Sequence, residues 1–423
     1  MTKIILTAGG PRARVEIAEA HLMLTRFQRI LDSHDSPTVH TLNLSCRQWP
    51  AESLQVLLPL FQQIAPKVEY LKIDDTIAGL PTEQGLATLQ FFADVFCRSP
   101  VTELNLDDNA LGTRGIQVLQ PLLHQPALRR LHLTNTGLSA EVMFTLAEVL
   151  EPIASRLTKL TLGRNQIGPD GAVTIARVLE TCTALESFSY AGARPLTVGT
   201  RALCQGLAVM ARTNSKLLYL NLNDCNLKAG EEDDDPIHAL LEVLEASPRL
   251  STLILRDGEL EVSGMQRVFG ALLQSGAKLH TLDLGCIGEI GPQGAAVAGA
   301  FLALQLETLQ EFYFDTNELG DTGIADLVAP FTGGSCLRLL HLGCNEIEAA
   351  GARVLVDNRI PSLVELVLED NMDLPAQAAA MLQTMYAKVV VDEGLEDEDD
   401  DDGEQQDEAV GDIADQLAGG LNI

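Results

Sequence analysis

Along this chain, polar pairs recur where short apolar segments give way to turns: Asp74 and Asp75, Asp107 and Asp108, Thr134 and Asn135, Gly163 and Arg164, Asn223 and Asp224, Arg256 and Asp257, then Asp315, Glu369 and Asp370. Carboxylates in such a row can steer and hold a protein with a basic face, with an association rate that falls as salt rises. A merely solvated edge would have the same composition. Covalent chemistry has no such foundation. A phosphate-wrapping loop needs G-x-x-x-x-G-K-[ST], and the sequence contains no Gly-Lys dipeptide. Gly9-Gly10 is followed by Pro-Arg rather than a dinucleotide fingerprint, and neither H-E-x-x-H nor G-x-S-x-G occurs. His132 and His341 fall at exposed strand positions, where a surface role fits better than metal ligation. No metal site and no resident cofactor are expected.

The elements that must position these pairs follow from an internal repeat. The template L-x-x-L-x-L-x-x-N/C-x-L is clearest in copies beginning at Val101, Leu157, Leu217, Leu309, Leu337 and Leu363, and weaker in those beginning at Val39, Val68, Leu128, Leu185, Leu250 and Leu279. Between turns the apolar period changes from 2 to 3.6, as in Ala172, Ile175, Ala176 and Leu179. Each unit is therefore strand, turn and helix. Such a unit cannot bury its apolar side alone, so about twelve units stack. The expected fold is an α/β leucine-rich-repeat solenoid, a horseshoe with parallel strands on the concave side and helices on the convex side. Asn109, Asn165, Asn317, Asn345 and Asn371 occupy a recurring ladder position, where an inward amide satisfies backbone groups of adjacent coils. Cys225 holds the same position as a small buried thiol.

Composition sets the limits. The 423 residues are 46% hydrophobic but 4% aromatic, which suits many similar aliphatic layers. Lys and Arg number 29 against 59 Asp and Glu, a net charge of −30. Nucleic acid and anionic membrane are therefore not expected as ligands, because phosphate contacts need a clustered cationic face. No segment has the length of a secretory signal or a membrane span, and the eight scattered cysteines, with no C-x-x-C pair, read as reduced thiols in a soluble intracellular monomer. The domain boundaries expected are an N-terminal cap over residues 1–38, the repeat domain over 39–391 and an acidic disordered tail over 392–423, whose 14 acids are accompanied by no Lys or Arg. The cap should contain a strand at Thr2 to Leu6 and a helix from about Val15 to Leu31. Glu231 to Asp235 reads as a solvated loop before a helix, and Gly411 to Ile423 as an exposed terminus.

Several turns exceed the generic template. Leu106-Asp-Asp-Asn-Ala-Leu-Gly112, Leu133-Thr-Asn-Thr-Gly-Leu138 and Gly163-Arg-Asn165, with Ile77-Ala-Gly-Leu-Pro81 one coil earlier, resemble the corresponding turns of the Ran GTPase-activating proteins, over roughly Val39 to Asp402. The resemblance implies a protein that is not itself a self-contained enzyme. It would act on Ran in its GTP form in the cytoplasm or at the nuclear periphery, supporting nucleocytoplasmic transport. GTP and magnesium would be carried by the GTPase, and Asn135 would orient the GTPase's own catalytic glutamine. Asp74, Asp75, Leu80, Asp107, Asp108, Arg164, Asp224 and Asp257 would contact the partner. Leu80 stands where the family has arginine and cannot offer its planar cationic fork; Arg164 or Arg114, on neighbouring turns, could take its place. The alternative is a leucine-rich-repeat scaffold or inhibitor that occludes a basic protein, as ribonuclease-inhibitor-like horseshoes do, without GTPase activation.

Overall fold

The computed structural model describes residues 2–213, 216–228, 235–371 and 374–392. The acidic tail, apart from Asp392, and the run Glu231 to Asp234 lie outside the described residues. Every strand found joins one parallel sheet in strict chain order. The strands are β1 (Thr2–Thr7), β2 (Pro37–Asn43), β3 (Tyr70–Lys72), β4 (Glu103–Asn105), β5 (Arg130–His132), β6 (Lys159–Thr161), β7 (Ser187–Ser189), β8 (Tyr219–Asn221), β9 (Thr252–Ile254), β10 (Thr281–Asp283), β11 (Glu311–Tyr313), β12 (Leu339–His341), β13 (Glu365–Val367) and β14 (Lys388–Val390). The twelve repeat starts read from sequence correspond to β2 to β13. The sheet gains one strand at each end: β1, where the cap strand was expected, and β14, whose Lys-Val-Val carries no trace of the template.

Parallel neighbours need a crossover, and a helix supplies each one. In chain order these are α1 (Ile17–Asp32), α2 (Ala51–Ile64), α3 (Thr82–Phe96), α4 (Gly112–Leu123), α5 (Ala140–Leu150), α6 (Gly168–Leu179), α7 (Leu196–Thr213), α8 (Pro236–Glu245), α9 (Glu261–Ser275), α10 (Gly291–Leu302), α11 (Gly320–Val328), α12 (Ala349–Asp357) and α13 (Ala376–Met385). Packed helices stand about 8–10 Å apart and paired strands about 4.8 Å, so the stack curves with its sheet on the inside. The core is one continuous aliphatic column between the layers. From β3 to β13 the central residue of each short strand, such as Leu104, Leu131, Leu160 and Leu220, is buried, while its neighbours on either side face outward. Small residues set close helix contacts: a Cβ on Gly206 of α7 would meet the Ala176 carbonyl oxygen of α6 at 2.3 Å, and one on Gly299 of α10 the Asp326 carbonyl oxygen of α11 at the same distance.

The ladder asparagines behave as the template predicts. The Asn165 amide nitrogen donates to the carbonyls of Leu133 (2.8 Å), Leu162 (2.8 Å) and Gly163 (3.0 Å), and its oxygen accepts from the Thr136 and Leu138 amides at 2.8 and 3.1 Å. Asn109 and Asn371 repeat this pattern. At the β13 coil the Asp392 carboxylate accepts from the Asp370 amide at 3.0 Å.

Asn165→Ala removes the side-chain partner of the buried Thr136 and Leu138 amides, so it should destabilise the fold by about 3 kcal/mol or more, whereas Asn135→Ala should cost less than about 1 kcal/mol. Urea unfolding of the two variants checks this; similar midpoints would contradict the ladder assignment.

Candidate functional site: the sheet face and its rim

Each strand from β2 to β13 runs into a turn whose second residue has left-handed backbone geometry. At Cys46, Asp75, Asp108, Asn135, Arg164, Gly192, Asp224, Asp257, Cys286, Thr316, Cys344 and Asp370, φ lies between 49° (Cys344) and 64° (Gly192). Asp, Asn and Gly tolerate this region best. From Cys46 to Cys344, the amide at each of these positions donates to a carbonyl of the next coil, as Asp108 does to Thr134 and Asn135 to Gly163, both at 2.9 Å. Part of the acidic edge is thus dictated by turn geometry, and the turn holds those side chains in fixed register along the rim.

The rim acids differ in availability. Asp74 accepts from the Ser45 hydroxyl at 2.5 Å, and burial pushes its carboxyl up. Asp75, expected as an exposed rim acid, is buried instead, because Arg12 from the N-terminal segment covers it and donates to it at 2.8 Å. Burial drives Asp107 up to about 6, against the His132 charge and the Thr134 amide that it accepts at 2.6 Å; Asp74 and Asp108 add to the rise. Asp108 and Asp224 are exposed, and Asp257 is half-buried. Asp224 is raised by burial and by Asp257, partly offset by Arg194. Asn135 is exposed on the rim, with its amide nitrogen donating to Asp108 at 2.8 Å. Leu80 is half-buried and packs against the apolar core. Arg114 is taken up by Glu83, at 2.8 and 3.1 Å. Arg164 is exposed and makes no side-chain bond among the described residues.

Two networks on the sheet face stabilise charge between coils. Glu103 of β4 pairs with Arg130 (2.9 Å) and His132 (3.2 Å) of β5, and the Arg130 guanidinium lies 5.5 Å from the Tyr70 ring. Further along, Arg256 donates to Asp283 at 3.1 Å and to both oxygens of Asp315 at 2.6 Å, reaching past the intervening coil. Gly285 makes that reach possible, since a Cβ there would lie 2.5 Å from the guanidinium. Burial opposes the Arg256 charge, but the two carboxylates outweigh it and hold the residue protonated. His341 stands 3.4 Å from Asp315, and burial lowers its basicity. Sequence reasoning placed Asp315 and Arg256 on an open edge. Their mutual burial was signalled only by the missing side chain at Gly285.

On this face burial raises the Cys46 and Cys344 thiols, and lifts Cys286 to about 11. Among the described residues, no three potential metal-ligating side chains converge, and no helix is long and apolar enough to cross a membrane.

Comparison with known proteins agrees with this architecture. The Leucine Rich repeat family pattern matches residues 99–119, 156–176 and 335–356. The chain is 31% identical to the ribonuclease inhibitor of Sus scrofa over 306 residues, 64% of each chain. With the ribonuclease inhibitor of Mus musculus it is 26% identical, over 79% of this chain and 78% of that one. With NACHT, LRR and PYD domains-containing protein 3 of Homo sapiens it is 29% identical over 58% of this chain, spanning only 26% of that protein. Among solved structures, a chain in the crystal structure of the Rad7 and Elc1 complex in yeast superimposes with a TM-score of 0.53 at 16% identity, covering 89% of this chain and 90% of that one. That likeness is one of fold.

Because the folded protein holds the Asp107 proton to about 6 and an unfolded chain releases it near 4, this group's contribution to stability falls as pH rises through that window. Asp107→Asn keeps an acceptor for the Thr134 amide without the charge. Its stability relative to the unmodified chain should rise by about 1–2 kcal/mol between pH 4 and pH 7.5; a difference independent of pH in thermal melts would refute the assignment.

Proposed function

We propose that this leucine-rich-repeat solenoid, which has ribonuclease inhibitors among its relatives, is a protein-binding scaffold whose sheet face and rim receive a protein with basic surface groups. The observation that carries the reading is the row of left-handed turns. It fixes Asp108, Asp224 and Asp257 at intervals set by strand spacing, about 4.8 Å per coil. A row held this way is preorganised along the backbone, so binding costs little additional main-chain ordering. The curved sheet offers the contact area. Rim carboxylates raise the encounter rate and fix orientation more than they add net affinity. A cationic ribonuclease is the first partner to try. Asp224→Asn combined with Asp257→Asn should slow association about tenfold at low salt and much less at about 0.5 M salt, as stopped-flow mixing would read. A salt-independent association rate would refute the steering role.

Asn135 favours a second reading, stimulation of GTP hydrolysis on Ran. Its backbone is fixed by the bond to Gly163, Asp108 holds its amide nitrogen, and Thr136, not Asn135, carries the buried ladder contacts. A carboxamide positioned this way can hold a mobile glutamine beside attacking water, and positioning is worth orders of magnitude in phosphoryl transfer. On this reading the nucleotide and magnesium belong to the GTPase and the site of action is the cytoplasm. Leu80, seated against the core, gives no cationic contact. Single-turnover hydrolysis by GTP-loaded Ran decides between the readings. Acceleration that falls about tenfold or more in Asn135→Ala, with binding retained, supports activation. Binding without acceleration, in the unmodified chain and in Leu80→Arg, leaves the scaffold alone.

A further inference from the structure

The acidic rim is interrupted. At the coils of β6 and β7 the outward strand positions are Lys159, Thr161, Ser187 and Ser189, and the rim positions are Gly163, Arg164, Ala191 and Gly192, with Arg194 just beyond. None is acidic. Gly163, Ala191 and Gly192 have almost no side-chain bulk, so the rim is low here, and a Cβ on Gly163 would lie 2.9 Å from the Ala191 carbonyl oxygen. The Ser187 and Ser189 hydroxyls are half-buried and have no hydrogen-bond partner among the described residues, which leaves two donors facing the open side. Arg164 and Arg194 are both exposed. On either side stand acids: Asp108 at the coil of β4 and Asp224 at that of β8, each two strand spacings, or about 10 Å, from the Arg164 coil.

We propose that this saddle between the acidic stretches receives an Asp- or Glu-bearing loop of the partner protein, flanked about 10 Å to either side by Lys or Arg. This rests on the scaffold reading and adds to it the pattern of charge on the partner. A uniformly basic surface would meet the two guanidiniums. A polyanion would meet the flanking carboxylates, which excludes nucleic acid. Only the alternation basic, acidic, basic places an opposite charge at every step, and its register is set by the coils, so a shift of two strands opposes like charges. The serine donors complete the carboxylate's hydrogen bonds at the floor.

The test uses three fluorescent peptides with the full chain at about 20 mM salt, where exposed charges are weakly screened. The first carries two central glutamates between tetralysine arms, the second has the same composition with the glutamates at its ends, and the third replaces the glutamates by glycine. Anisotropy should show the first binding about fivefold more tightly than the second. Arg164→Gln with Arg194→Gln should abolish that preference without weakening the third peptide, whereas Arg164→Lys with Arg194→Lys should keep it. Equal affinity of the unmodified chain for the first two peptides, with the third still bound, overturns the saddle and leaves the acidic rim standing. A preference that persists in the glutamine variant overturns the assignment to these arginines. If none of the peptides binds, both readings fail. The comparison on the unmodified chain decides the matter even where a variant does not fold.

Discussion

A stack of coils holds together only if the polar backbone of each turn finds partners in the next, because the turn sits over an apolar column that offers none. Two devices meet that demand here. One is the ladder asparagine, whose carboxamide bonds to two coils at once, as Asn165 does. The other is the left-handed residue before it, whose amide reaches forward to the following coil. The second device is the reason aspartate and asparagine gather at the rim. Structure and surface chemistry thus draw on the same positions: the conformation that closes the turn is the one that presents a carboxylate or amide to the outside.

The ladder is not continuous. Between Asn165 and Asn317 its place is taken by Ala193, Cys225, Gly258 and Ile287. Through this stretch, coil-to-coil bonding at the turn falls to the backbone, and side-chain charge takes up part of the work at the sheet face, where Arg256 joins Asp283 and Asp315. The central coils are also where the rim changes sign, from Asp108 through Arg164 to Asp224. The surface is therefore patterned rather than uniformly acidic, although the whole chain carries a net charge of −30.

Much of this was legible in the sequence, and what was not has identifiable causes. The alternation of period and the recurring asparagine fixed the strands, the helices and the buried amides, since each is a local pattern repeated many times. Asp75 could not be placed, because the Arg12 that buries it lies 63 residues away and outside the repeat. β14 was missed because three residues with no Leu-x-Leu carry no periodicity. The Arg256 network joins residues 27 and 59 apart, a separation that means nothing until coils are laid side by side. Asn135 shows the converse: its exposure and its distinction from Thr136 followed from the template alone, while its bond to Asp108 needed coordinates.

Arg256 also has a bearing on how such an array can change over generations. Most contacts in the array join immediate neighbours, so gene duplication or loss of one unit leaves the joints on either side chemically equivalent, except near the first strand, where Arg12 also skips a coil to reach Asp75. A guanidinium that skips one unit to grip the carboxylate two units on ties three of them into a counted set. Adding or deleting a copy inside that set would displace the carboxylate by about 4.8 Å and leave a buried carboxylate without its partner. The protein's length is thereby locked at this point, as it is where Arg12 grips Asp75, and freer to drift between the two.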